Sequence, residues 1–248
     1  MLLTIAMVAT TMAFMTLLEL RRSGFSWLSR LRNLQAFAVS WAPAWFYLPL
    51  LNYAKLPTIV DAAQLPFLAG LLIYTFVMDL GEYLFHRVQH AVPLLWAMHS
   101  LHHSDPDMNA TTAERHFWGD RIIKLLTIWP LATIIVRPTL EIVLTYLAVC
   151  MWHTVVHSSV GFSFGKWSWA LNSPGYHRRH HSSDPRHYNS NFAALFPIFD
   201  VVTGAYRKPV PDATTGLDEM PERFGDLVTW PLRRRLPRIT DSDSQRFA

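Results

Sequence analysis

Twelve histidines stand against a single cysteine, Cys150, in a chain of 248 residues. All twelve follow residue 85, and ten fall into four groups: His86 and His90 in HRVQH, His99, His102 and His103 in HSLHH, His153 and His157 in HTVVH, and His177, His180 and His181 in HRRHH. Separations of three and four residues place side chains about one turn apart on one helix face, so two such imidazoles reach a common ion. One H-x-x-x-H pair is a weak signal, but two pairs and two H-x-x-H-H triplets together are not what independent scatter readily produces. The chemistry indicated is metal binding by neutral imidazole, which suits iron, copper, zinc and nickel alike. Ten imidazoles exceed the four ligands of a closed structural zinc; divided between two ions they supply about five each and leave room for an exogenous ligand. One cysteine excludes a disulfide framework, a four-thiolate zinc site and a self-contained iron–sulfur cluster.

The elements that must position these rings are read from hydropathy. Apolar residues make up 51% of the chain and charged residues 16%, well under the roughly 25% charged of a soluble protein. Three stretches, Met1–Leu20, about Ala36–Tyr53 and about Pro66–Phe85, reach the ~20 apolar residues that a membrane-spanning helix needs. The first has no basic residue ahead of it, and Arg21 and Arg22 follow it, so it reads as a retained anchor rather than a leader. A fourth apolar region, Ile122 to about Trp152, is broken at Arg137-Pro138 into a helical hairpin. The expected fold is therefore all-α and membrane-integral: about three full spans plus a proline-broken hairpin, capped by a cytosolic helical layer carrying the histidines. Placing the N-terminus outside leaves only Lys55 and Arg137 on the outer side, with the other twenty of the 22 Lys and Arg inside or at the edge. The histidine groups and the C-terminus are then cytoplasmic, and a bacterial inner membrane is the expected location. The formal charge of +4 is mild and gives no nucleic-acid partner. Residues 1–65 read as anchor helices, 66–208 as the histidine-bearing unit and 209–248 as a polar, basic tail.

Position strengthens the metal reading. His86 and His90 continue the third apolar helix as it leaves the membrane, and His153 and His157 continue the hairpin on the same side. Each triplet is followed by a helix stop, SDP or SSDP. Asp79 and Glu82 share the face of His86 and His90 and are expected to accept the outer N–H of ligating rings. Asp105, Asp107, Glu114, Asp120 and Asp184 are more weakly placed candidates, and His116 and His187 stand outside the ligand set.

The four groups in this order resemble the histidine boxes of the fatty acid hydroxylase/sterol desaturase superfamily. The resemblance extends over roughly residues 66–208, including HHSDPDMNATTAERH and the closing LFPIFDVVTGAYR. It implies a centre of two iron ions held by His86, His90, His99, His102, His103, His153, His157, His177, His180 and His181, with zinc as a substitute occupant. It also implies O2-dependent hydroxylation or desaturation of a lipid drawn from the bilayer. Electrons must come from an external donor, because no glycine-rich dinucleotide fingerprint, C-x-x-C-H motif or cysteine set is present. Two other readings remain open on the residues alone: a binuclear lipid hydrolase, in which paired ions activate water, and a non-catalytic membrane metal binder. The first lacks a carboxylate inside the histidine groups, and the second would string ligands along the spans rather than after them.

Overall fold

The computed structural model describes residues 2–22, 24–43, 46 and 55–233. Helix α1 (Leu2–Glu19) is eighteen residues of almost unbroken apolar sequence, a rise of about 27 Å. Helix α2 (Trp27–Trp41) is capped by Ser26, whose side chain accepts from Ser29 N. After a short extended pair of residues (β1, Val60–Asp61), the longest helix, α3, runs from Phe67 to Ala91 and carries His86 and His90 in its last turns. Val92 breaks it, and Pro93, preset for the first helical turn, starts α4 (Pro93–His103). Helix α5 (Trp118–Ile135) leads through β2 (Val136–Arg137) to α6 (Leu140–Cys150) and the short α7 (Trp152–His157). Helix α8 (Pro174–His180) opens on Ser173, which caps Tyr176 N, with Pro174 at its first position. Two further helices, α9 (Ile198–Thr203) and α10 (Phe224–Arg233), close the described chain.

Among the described residues, three helical stretches are long and apolar enough to cross a membrane: Leu2–Glu19, Phe67–Ala91 and Leu140–His157. Their large apolar side chains point outward, among them Phe14, Leu17, Leu68, Leu72, Phe76 and Leu140. Such a surface is costly in water and is what a lipid-facing helix shows. The all-α membrane architecture expected from hydropathy is thus the architecture observed. The expected second span is the exception. Its first residues belong to α2, which is packed against the helices and turn that follow the histidines. Most of its remainder lies outside the described residues. Arg30 and Asn33 explain the placement: both are buried, Arg30 against Glu19 and Asn33 against Asp105, Thr111 and Thr112. Buried polar groups of this kind require hydrogen-bond partners that lipid cannot offer.

Close approach of α3 to the hairpin depends on two glycines. A Cβ at Gly70 would sit 2.9 Å from Ile142 Cδ1, and one at Gly81 would sit 2.9 Å from Ile128 Cγ2. Small residues at such crossings let membrane helices pack backbone to backbone. The core between them is Tyr74, Met78, Ile128, Ala132, Ile142 and Tyr146. At the end of the bundle remote from the histidines, β1 pairs in parallel with β2, Val60 opposite Val136 and Asp61 opposite Arg137. Arg137 Nη2 donates to Leu56 O at 2.7 Å. The hairpin turn and the segment before α3 therefore meet at one end.

Candidate metal centre

Helices α3, α4, α7 and α8 deliver their histidines to one chamber. Five ligand nitrogens, from His86, His90, His99, His103 and His180, lie within 4.8 Å of one another; four more, from His102, His157, His177 and His181, do the same. Nine of the ten predicted histidines are thus brought into two groups. His153 is in neither: its ring lies 4.5 Å from that of His157 and 5.9 Å from that of His177.

The triplets explain how two groups arise from four boxes. In HSLHH the outer residues, His99 and His103, serve the first group, while His102 turns to the second. In HRRHH the outer residues, His177 and His181, serve the second group, while His180 turns to the first. Residues four apart share a helix face, and the residue three along is displaced around the axis. The two groups consequently interlock: the rings of His103 and His181 stack 4.2 Å apart across the boundary.

The donor set fits metal ions. Nε2 of His157 lies 3.1 Å from Nε2 of His102 and 3.0 Å from Nε2 of His177, and Nε2 of His181 lies 3.2 Å from that of His177. Nitrogens this close, aimed at a common point, are reconciled by a shared cation. In the first group Nε2 of His86, Nε2 of His180 and both nitrogens of His99 are buried without hydrogen-bond partners. Burial, the largest cause, pushes His99, His102, His177 and His181 well below the usual histidine range. Burial also brings His180 down to about 4, against its hydrogen bond to the Ser190 carbonyl, which pulls the other way. Neutral imidazole is the form that ligates.

The rings are oriented by backbone carbonyls. Nδ1 of His86 donates to Phe192 O at 2.7 Å, that of His180 to Ser190 O at 2.9 Å, and that of His157 to His153 O at 2.7 Å. This is the outer support that ligating histidines require. Neither Asp79 nor Glu82 plays the expected part of bonding an imidazole directly. Asp79 accepts from Leu195 N and Phe196 N at 2.9 and 2.8 Å, and Glu82 pairs with Lys124 Nζ at 2.6 Å. The reason is geometric: Asp79 sits nearly two turns before His86, level with the returning 192–196 loop rather than with the rings. Asp200, in the closing stretch, takes Phe192 N and Ala193 N at 3.1 and 2.8 Å and the hydroxyl of Tyr176. The two aspartates together hold the loop whose carbonyl fixes His86.

His116 is the functional neighbour that spacing did not include. Its ring stacks on His102 at 4.4 Å and 14°, and it joins His99 and Asp120 in a third group of convergent ligand atoms. A lone histidine carries no periodic signal; its separation of four from Asp120 at the head of an apolar helix was the available cue. His187 stays apart, bonding Ser182 Oγ at 2.9 Å.

A cavity of about 700 Å³ opens beside the histidines and runs between α1, α3, α5 and α6. His86, His99, His102 and His177 form one end; Met78, Trp129, Tyr146 and Leu147 line the apolar part, and Arg137 and Pro138 lie at the far end.

A family model described as fatty acid hydroxylase matches residues 71–205. Alkylglycerol monooxygenase of Xenopus tropicalis is 33% identical over 130 residues, covering 52% of this chain and 28% of that protein. The human alkylglycerol monooxygenase is 32% identical over 134 residues, with the same shares covered. Ornithine lipid hydroxylase OlsE of Rhizobium tropici is 25% identical over 142 residues, 57% of this chain and 43% of its own length. The matched region spans under a third of the vertebrate relatives just named. No solved structure matches the chain.

Proposed function

This chain belongs to the fatty acid hydroxylase family, and from that premise we propose that it is a membrane-bound, O2-dependent lipid hydroxylase with two iron ions at its histidine groups. The observation that carries the reading is the pair of interlocked imidazole groups beside a largely apolar cavity. Bound iron would supply the reduction of dioxygen and the removal of hydrogen from an unactivated C–H bond, chemistry that no amino-acid side chain provides. The protein's own part is positioning and exclusion. His86, His90, His99, His103 and His180 hold one ion; His102, His157, His177 and His181 hold the other, with His153 adjacent. The carbonyls of Phe192, Ser190 and His153 keep the rings aimed. Met78, Trp129 and Tyr146 receive the substrate's apolar part and keep water from the reacting carbon.

Residues 66–208 form the oxygenase unit in this reading, with the histidines on the cytoplasmic side. The parallel pairing of β1 with β2 supports that orientation, because it sets Arg137 and the segment after Lys55 at the same remote end. Electrons enter from an external donor. The exposed cations Arg87, Arg186, Arg207 and Lys208 suit an acidic carrier on the cap.

The test is lipid analysis of membranes with and without the protein under isotopically labelled dioxygen. The reading expects a lipid that gains one labelled oxygen atom, only when O2 is present. Equal conversion under nitrogen would assign the binuclear hydrolase chemistry instead, and loss of two hydrogens without label would assign desaturation.

A further inference from the structure

The loop between α7 and α8 has no part in holding the histidines, yet it is built with care. Its base is pinned. Gly175 N donates to Phe162 O at 2.9 Å, and Asn172 is held through its own N–H by Leu195 O and through its side chain by the carbonyls of Ala193 and Ala194. A surface loop closed at its ends in this way is an Ω-loop. It wraps Trp152 of α7, whose ring stacks on Phe164 at 6.2 Å and 18° and meets Phe162 at 6.5 Å, and whose Nε1 donates to Asn172 O at 2.9 Å. The tip is exposed instead. Gly165, at φ 55°, opens a turn over Gly165–Trp167 in which no residue is buried. Trp167 and Trp169 are 59% and 42% exposed, their rings lie 6.4 Å apart, and Lys166 Nζ is 5.6 Å from the Trp167 ring.

Place, chemistry and charge agree on what covers this tip. Leu140–His157 is long and apolar enough to span, and Trp152 lies twelve residues along from Leu140, about 18 Å at helical rise. A loop folded on Trp152 therefore stands beside the last third of that helix, the end at which it leaves the hydrocarbon. Indole favours the headgroup layer over both water and hydrocarbon, and the tip residues Phe164–Trp169 include no Leu, Ile or Val to carry them deeper. No acidic residue occurs between Glu141 and Asp184, so nothing on this stretch competes with an anionic headgroup for Lys166. We infer that the loop is an interfacial anchor: Trp167 and Trp169 seat in the headgroup layer at the histidine end of the bundle, and Lys166 meets an anionic phospholipid head there. Trp152 also lines the cavity, so the loop that meets the headgroups backs the cavity wall beside His153. This depends on the membrane fold and not on the lipid-hydroxylase reading.

Depth-resolved photolabelling tests it apart from turnover. The full, metal-loaded chain is placed in phosphatidylcholine nanodiscs that carry a phospholipid probe with its diazirine either beside the ester or at the chain end. The shallow probe should mark residues 162–171, whereas the chain-end probe should mark residues 140–150 and spare the loop. A shallow phosphatidylglycerol probe should mark the loop about fivefold more than its phosphatidylcholine counterpart, the ratio that one lysine at an anionic surface supplies. Trp167→Ser combined with Trp169→Ser should lose the loop label, and Lys166→Gln should lose the phosphatidylglycerol excess, with bound metal unchanged in both. Should a variant fail to fold, the depth pattern of the unmutated chain decides. A loop marked by neither probe overturns the inference and assigns the two indoles to a soluble partner. It is equally overturned by chain-end label as strong as the shallow label, by a double variant that keeps the label, or by K166Q keeping the excess.

Discussion

In the first histidine group, the pair on α3 (His86, His90) meets the outer pair of HSLHH (His99, His103) and one crossing residue, His180; in the second, the outer pair of HRRHH (His177, His181) meets His157 and the crossing residue His102. The assembly rule is the same in both: a pair, an outer pair and a crossing residue. The second group differs because only one member of HTVVH arrives. His153 turns its ring aside and contributes its carbonyl, which accepts from His157 Nδ1. The supports differ as well. Asp79 and Asp200 hold the first group through the backbone of residues 192–196. In the second, the segment just after His157 is held by Glu19 of α1. That carboxylate accepts from Ser159 N at 2.6 Å, just beyond α7, and from Ala110 N at 3.1 Å, and it is paired with Arg30 at 2.8 Å. Equivalent spacing in sequence thus yields two histidine groups with partly different supports, so each should be open to separate damage.

The largest effect is expected at the crossing residues. His102→Ala and His180→Ala should each empty one site and cost activity beyond the roughly 10–100-fold typical of an outer-shell change. Metal analysis of the purified variants checks this. If H102A kept both ions, the division into two groups would be wrong.

Next comes Glu19→Gln, which removes the carboxylate paired with the buried Arg30 and leaves it Ser26 O and the more distant Asp107. Removing one partner of a buried ion pair costs about 3–5 kcal/mol. Thermal unfolding should show a large drop, and the second site should loosen before the first. An unchanged melting temperature would detach α1 from the account.

Asp79→Asn is gentler, because one of the two side-chain oxygens that accept from the backbone survives. Metal affinity at the first group should fall about 10–100-fold with the second group unaffected. A competitive chelator titration separates the two sites, and equal weakening of both would contradict the different supports. The smallest effect belongs to His153→Ala. Its carbonyl, the part that holds His157, is untouched, so metal content should stay whole and turnover should change only several-fold, on the scale of one lost hydrogen bond. A loss as deep as that of H102A would place His153 among the ligands.

Much of this site was legible in the residues. Helix-period spacing singles out ten histidines, nine of which lie in the two groups, and apolar length gives the membrane fold, because both signals are local. What spacing could not reach was set by distant packing. Asp79 shares the face of His86 as expected, yet its partners are the amides of residues more than a hundred positions later. Glu82 meets Lys124 across the α3–α5 contact instead of a ring. His116 reaches His102 only because the turn Ala110–Glu114, held by the Asn109 capping box, aims it there. The expected span beginning at Ala36 starts within α2, whose Arg30 and Asn33 are bound to Glu19 and Asp105, and the rest of it lies largely outside the described residues.

The central claim is that two sites, not one, are built from these rings. Metal stoichiometry of the purified full chain tests it most directly. The account predicts two ions per chain in the intact protein and one in H102A; a single ion in the intact protein, or none, would contradict it.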